Sequence, residues 1–181
     1  MRERLIAILR ARSYERREVT LASGARSDFF IDCKQTVLTA EGHRLVGELM
    51  LKAVQSLGGC DVVAGVELGG CPLASAVSLT SALKGQPLDA LYVRKDAKDH
   101  GTKKLVEGDK SLRVGTRVAL LEDVITTGGS TLAAIAKLED AGARVVGVVA
   151  LVDREEGGRE TITARGHRVI PIVRKSDLVD G

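Results

Sequence analysis

Between Arg117 and Asp140 the chain runs from an apolar, β-branched stretch through two acids and a Gly turn into an Ala-rich helical pattern. Few folds accommodate that order. Val118, Ala119, Leu120 and Leu121 read as a buried strand. Glu122 and Asp123 close it, and Val124 and Ile125 follow. Thr126, Thr127, Gly128, Gly129 and Ser130 then turn the chain before a helix beginning at Thr131. Strand, Gly turn and helix start make an anion site, because first-turn N–H groups lack helical partners and the helix dipole favours negative charge. Gly128 and Gly129 can take positive φ and let a phosphate approach the backbone. Thr126, Thr127 and Ser130 add hydroxyl donors.

The acids narrow the ligand. Two carboxylates beside a phosphate cradle repel phosphate unless they face hydrogen-bond donors. The vicinal hydroxyls of a ribose are such donors, and a nearby Mg²⁺ would also suit the acids. The run therefore reads as a site for a ribose 5-phosphate, with an acid-capped surface turn as the plain alternative. No Gly-Lys-Ser/Thr follows the glycines and the spacing is not GxGxxG, which sets aside the two commonest nucleotide loops.

The same run resembles the 5-phosphoribosyl diphosphate (PRPP) signature of the type I phosphoribosyltransferases. That resemblance implies an α/β fold with a central, mainly parallel β-sheet flanked by helices on both faces and a small N-terminal hood. The residue pattern agrees. Helical periods at Ala40–Leu57 and from Pro72 to Gly85 alternate with apolar strands at 61–66, 88–93, 117–121, 144–152 and 168–173. Residues 1–35 fall outside the alternation: a short basic helix with Leu5, Ile6, Ile8 and Leu9, then two extended segments around Ser23-Gly24-Ala25. The expectation is one domain over 1–181, with a hood at 1–35, a core at 36–181 and a lid at about 94–111.

Four further segments are similar to the orotate phosphoribosyltransferase branch. Val66-Glu67-Leu68-Gly69-Gly70-Cys71-Pro72 is a second strand-to-helix turn, matching the family's pyrophosphate loop. The resemblance implies backbone contacts at Leu68, Gly69 and Gly70 and a non-proline cis peptide at Glu67–Leu68. Many orotate enzymes carry Lys where this chain has Gly69. Arg94-Lys95-Asp96-Ala97-Lys98-Asp99-His100-Gly101 reads by composition as a solvated cationic loop. It is also similar to the family's mobile catalytic loop, which implies that Arg94, Lys95, Lys98 and His100 fold over the pyrophosphate of a neighbouring subunit in a homodimer. Leu21 to Phe30 resembles LxSGxxSxxF, with Ala22 where some members have Lys. There the resemblance implies that Phe29 and Phe30 pack on orotate, and a core role is the plain alternative. Asp153-Arg154-Glu155-Glu156-Gly157-Gly158 resembles D-R-x-E-G-G, which implies that Arg154 pairs with the base and Thr126 contacts it from the other side.

The implied reaction transfers the phosphoribosyl group of PRPP to orotate, giving orotidine 5′-monophosphate and pyrophosphate. Lys98, Asp123 and Glu122 are the implied catalytic residues. The PRPP site is Glu122 to Ser130 with residues 68–70 and the four lid side chains. Mg²⁺ is expected through PRPP, with no direct protein ligand. The alternatives are a transferase for another base, which leaves Arg94–His100 and Arg154 without a reason, and a PRPP-sensing regulator on the same fold, which would not need the lid cations.

Composition limits the partners. With two Phe, two Tyr and no Trp, the chain lacks an aromatic platform for bases of nucleic acid, and a net charge of +3 attracts neither DNA nor an anionic membrane by itself. Cys33, Cys60 and Cys71 form no CxxC pair, so neither a disulfide framework nor a zinc site is expected. No apolar run spans a bilayer and the first residues do not resemble a signal peptide, so the expected place is a reducing cytoplasm.

Overall fold

The computed structural model describes residues 1–20, 26–96 and 104–179. The chain opens with α1 (Arg2–Arg12), which buries Leu5, Ile6, Ile8 and Leu9, as their helical spacing predicts. Strands β1 (Tyr14–Thr20) and β2 (Arg26–Ile31) pair antiparallel, with Tyr14 opposite Ile31, as a ribbon apart from the main sheet. A single-turn helix α2 (Lys34–Val37) leads to α3 (Ala40–Gln55). The Thr39 hydroxyl accepts the Gly42 N–H at 3.0 Å and caps α3.

The core then alternates. Strand β3 (Val62–Val66) is followed by α4 (Gly70–Leu83), β4 (Asp89–Val93) and a two-residue β5 (Val106–Glu107). After a 3₁₀ turn at Asp109–Ser111 come β6 (Arg117–Ile125), α5 (Gly129–Asp140), β7 (Arg144–Asp153), α6 (Gly158–Ala164), β8 (Val169–Arg174) and α7 (Lys175–Val179). Among the described residues the sheet order is β5-β4-β3-β6-β7-β8, parallel throughout except for β5 at its edge.

The pleat of β6 divides the core. Val118 and Leu120 pack with Ala134, Ile135, Leu138 and Ile162, under α5 and α6. Ala119 and Leu121 join the larger cluster containing Leu5, Leu45, Met50 and Leu73, under α1, α3 and α4. Each large aliphatic side chain buried this way contributes about 1.5–3 kcal/mol. With helices on both faces, a nearly unbroken apolar strand is what β6 has to be.

Three details depart from the sequence reading. α5 starts at Gly129, two residues before Thr131, because Gly128 caps it in the left-handed region (φ 86°). The stretch expected as a lid, about 94–111, holds β5, where Val106 is the buried residue, too little to show a period. α2 and α7 are likewise too short for one. Among the described residues no helix is long and apolar enough to cross a membrane.

Candidate active site

Strand β3 leads through α4 to β4 on one side, and β6 leads through α5 to β7 on the other. The connections therefore diverge between β3 and β6, which pair in parallel with Gly65 opposite Leu121. A crevice opens beyond the carboxyl ends of strands at such a switch point. Both Gly turns of the sequence lie there.

The turn after β6 presents Thr127, Gly129 and Ser130 to solvent, and no side chain caps the first turn of α5, which leaves its N–H groups for a ligand. Gly128 is required twice over. Its φ is positive, and a Cβ there would stand 2.9 Å from the Gly158 carbonyl oxygen. Ile125 is buried and Val124 packs against the core, so only their backbone is available to a ligand.

The turn after β3 is tighter still. A Cβ on Gly65 would meet the Gly70 carbonyl oxygen at 2.1 Å, and one on Gly70 would meet that of Leu121 at 2.7 Å. The Glu67–Leu68 peptide is cis, as the resemblance implied. α4 also begins without a side-chain cap. At Gly69 a Cβ would fall 1.8 Å from Asp123 Oδ2, so the Asp123 carboxylate rests directly against this turn. A Lys in place of Gly69 would have to displace that carboxylate. Asp123 is thus the side chain that joins the two cradles, and its Oδ1 accepts the Val124 N–H at 2.9 Å.

Glu122 behaves differently. It is 4% exposed and accepts a hydrogen bond from the Thr131 hydroxyl at 3.0 Å, within the first turn of α5. Burial, and then the neighbouring Asp123 charge, push its carboxyl up to about 8, while the Thr131 bond pulls it down.

A family model described as the phosphoribosyl transferase domain matches residues 36–165. A protein of Sorangium cellulosum called orotate phosphoribosyltransferase is 66% identical over 178 residues, which span 98% of this chain and 93% of that one. The chain belongs to the orotate phosphoribosyltransferase family. A Bradyrhizobium orotate phosphoribosyltransferase is 46% identical over 168 residues, spanning 91% of this chain and 90% of its own. In three dimensions the chain matches the Mycobacterium tuberculosis orotate phosphoribosyltransferase crystallised with PRPP, with a TM-score of 0.79 and 35% identity over 98% of both chains.

Of the remaining residues implied by the family pattern, Arg94, Lys95 and Arg154 sit at strand ends around the same crevice. Arg94 and Lys95 leave β4, with the Arg94 N–H bonded to the Leu105 carbonyl at 2.8 Å and its guanidinium 3.6 Å from Glu107. Lys98 and His100 lie outside the described residues, as do Leu21 to Ala25. Arg154 follows β7, and its N–H donates to the Ile125 carbonyl at 3.0 Å, so it stands beside the signature turn. Arg154 is 8% exposed, and its guanidinium pairs with Glu156 at 2.9 Å and donates to the Phe29 carbonyl at 3.1 Å.

Phe29 itself is 1% exposed, with Tyr14 at 5.0 Å and the Arg154 guanidinium 5.3 Å from its ring. It braces Arg154 from below, through both ring and carbonyl. Phe30 turns the other way and carries Arg17 over its ring at 3.8 Å. Thr126 is half-buried beside Gly158, whose Cβ would strike the Thr126 carbonyl oxygen at 2.4 Å.

Several neighbours of the site escaped the sequence reading. The Cys33 thiol points at the Asp123 carbonyl from 3.8 Å, and burial with the Asp123 charge holds it far above the usual thiol range. Lys34, bonded to Asp32 at 2.6 Å, is raised chiefly by that bond and further by Asp123. Thr131 and Lys137 of α5 were read only as helix. The signal for Thr131 is a polar residue on the buried stripe of an amphipathic helix; for the others the sequence carries none, since each acts through a distant segment.

Proposed function

We propose that this chain joins orotate to PRPP, releasing pyrophosphate and forming orotidine 5′-monophosphate on the route to UMP, as a single cytoplasmic domain that works as a homodimer. The observation that carries this reading is the convergence of two uncapped helix starts at one switch point, with the Asp123 carboxylate wedged between them. Two anion cradles with one acid between them match a ligand with a phosphate at one end, a diphosphate at the other and ribose hydroxyls in the middle.

In this reading the N–H groups and hydroxyls of Thr126 to Ser130 take the 5′-phosphate. Asp123 accepts from the ribose hydroxyls, with Glu122 behind it. Leu68, Gly69 and Gly70 offer backbone donors to the diphosphate, and this turn brings no cation of its own. Mg²⁺, which phosphoribosyltransferases generally use with PRPP, fits that donor set by neutralising the diphosphate as PRPP's own counterion. Among the described residues no group of three or more His, Cys, Asp or Glu side chains converges on a metal position.

Breaking the bond from C1′ to the diphosphate leaves positive character on the ribose and negative charge on the leaving group. Donors aimed at that charge supply the main acceleration. Arg94, Lys95, Lys98 and His100 serve it from the partner's lid. Asp123 favours the positive ribose, and Glu122 adds to this once its raised carboxyl, at about 8, has lost its proton. Orotate attacks through N1 as an anion and needs no dedicated base. Arg154, braced by Phe29, holds the polar edge of the base, and Thr126 faces it from the signature turn.

A pairing face supports the dimer. Leu79 and Leu83 are 59% and 80% exposed on α4, in line with Ser75, whose hydroxyl meets that of Tyr92. Residues four apart stack on one helix face, so Ser75, Leu79 and Leu83 form one stripe along α4.

The test is purified protein with PRPP and Mg²⁺, offered orotate, uracil, adenine, guanine or hypoxanthine while pyrophosphate release is followed. Orotate-dependent release with orotidine 5′-monophosphate as product is expected. Turnover of a purine or uracil in preference to orotate would overturn the assignment.

A further inference from the structure

Lys137 stands near the end of α5, far along the helix from its phosphate-binding first turn. Its ammonium reaches across to the end of β4 and donates to two backbone carbonyls, those of Arg94 at 2.9 Å and Lys95 at 2.6 Å. Among the described residues no carboxylate pairs with it. A half-buried ammonium spent on two carbonyls is an unusual use of a helix lysine, whose side chain is ordinarily free to solvate itself. Bonds from an ionised donor are about twice as strong as neutral ones.

The same short segment is held from two other directions. The Lys95 N–H donates to Glu67 Oε2 at 3.0 Å, and Glu67 opens the turn assigned to the diphosphate. The Glu67 N–H in turn donates to the Val93 carbonyl at 2.8 Å, and the Arg94 N–H to the Leu105 carbonyl at 2.8 Å. Residues 94–95 are therefore clamped between α5, the turn after β3 and Leu105, just before β5. Three of these bonds come from the side chains of Lys137 and Glu67, so those side chains share with the Arg94–Leu105 backbone bond in setting the segment's direction.

We propose that Lys137 is a positioning residue for diphosphate binding: by holding the Arg94 and Lys95 carbonyls it sets where these two cations leave β4, and it ties that direction to the helix that takes the 5′-phosphate. The inference rests on the reading above of Arg94 and Lys95 as diphosphate ligands. The clamp acts on the end of PRPP that departs, and on pyrophosphate in the reverse reaction. Orotate, at the Arg154 side of the crevice, is outside its reach.

Steady-state kinetics in both directions on the full-length enzyme test this, with Lys137→Met, Lys137→Gln and Lys137→Arg compared with wild type and with Arg94→Ala and Lys95→Ala. Lys137→Met should raise KM for PRPP and for pyrophosphate about tenfold, the cost of one charge-assisted hydrogen bond, with KM for orotate within about twofold of wild type. Lys137→Gln, which keeps the stem and one donor, should shift the same two constants in the same direction by less. Lys137→Arg, whose fork can serve both carbonyls, should recover most of the loss. Either uncharged variant with PRPP and pyrophosphate constants unchanged, alongside raised constants in Arg94→Ala or Lys95→Ala, overturns the proposal. So does a lowered thermal midpoint with unchanged constants, which would make Lys137 a purely structural prop. If Arg94→Ala and Lys95→Ala themselves leave both constants unchanged, the ligand reading beneath the proposal fails instead.

Discussion

Glu122 and Asp123 are adjacent in sequence, yet their surroundings give them different work. Asp123 lies open against the Gly69 turn, whereas Glu122 is buried beneath α5 with the Thr131 hydroxyl as its donor. The raised carboxyl, about 8 against an ordinary 4.5, has a consequence for stability. The native state binds this proton more tightly than the unfolded chain. Its stabilising contribution is complete below the ordinary value and is lost as pH rises through the native one. Ligand-free protein should therefore weaken between about pH 5 and pH 8, and Glu122→Gln should flatten that part of the profile. Urea unfolding midpoints across this range check it, and an identical slope in the variant would contradict the assignment. The groups facing Glu122 are Asp123 beside it, the Thr131 hydroxyl from α5 and Ala150 opposite in register on β7. Lys137, on the same helix, spends its charge on Arg94 and Lys95. From sequence both acids were legible as candidate ribose ligands by their place before a Gly turn. Their unequal burial was not, because it depends on the helix that folds back over Glu122.

At the scale of elements, the two strand-turn-helix units carry the site, and their glycines differ in what they do. Gly65 is pressed on by the Gly70 carbonyl, so Gly65→Ala forces backbone apart and should cost about 1–3 kcal/mol of stability as overpacking does. Gly129 has nothing within 4 Å of a would-be Cβ and no positive φ, so Gly129→Ala should stay within about 0.5 kcal/mol of wild type, as open surface positions do. Denaturant melts of the two variants check the contrast, and equal destabilisation would contradict it. Both turns were readable in advance because their chemistry is local: apolar strand, glycines, then a helix without a side-chain cap. The β4 end was half readable. Its cations stand out in sequence, but the clamp from Lys137 and Glu67 joins residues 42 and 28 positions away from Lys95, and no local pattern announces such pairs. Arg154 shows the same limit, since its brace Phe29 comes from the N-terminal ribbon, 125 residues earlier.

Across the whole molecule, the order β5-β4-β3-β6-β7-β8 puts the divergence of the chain between the two anion turns, and the ribbon of β1 and β2 supplies the brace for Arg154. The alternation of apolar strands with helical periods made this architecture legible. The separate ribbon was visible only as a stretch that failed to fit. One ligand is expected to bridge both turns, with its ribose on Asp123. A crystal structure of the protein with PRPP and Mg²⁺ tests it most directly. The account predicts the 5′-phosphate on the N–H groups of Thr126 to Ser130, the diphosphate at Leu68 to Gly70 and the ribose hydroxyls on Asp123. A 5′-phosphate bound away from the α5 N-terminus, or a diphosphate away from the turn after β3, would contradict it.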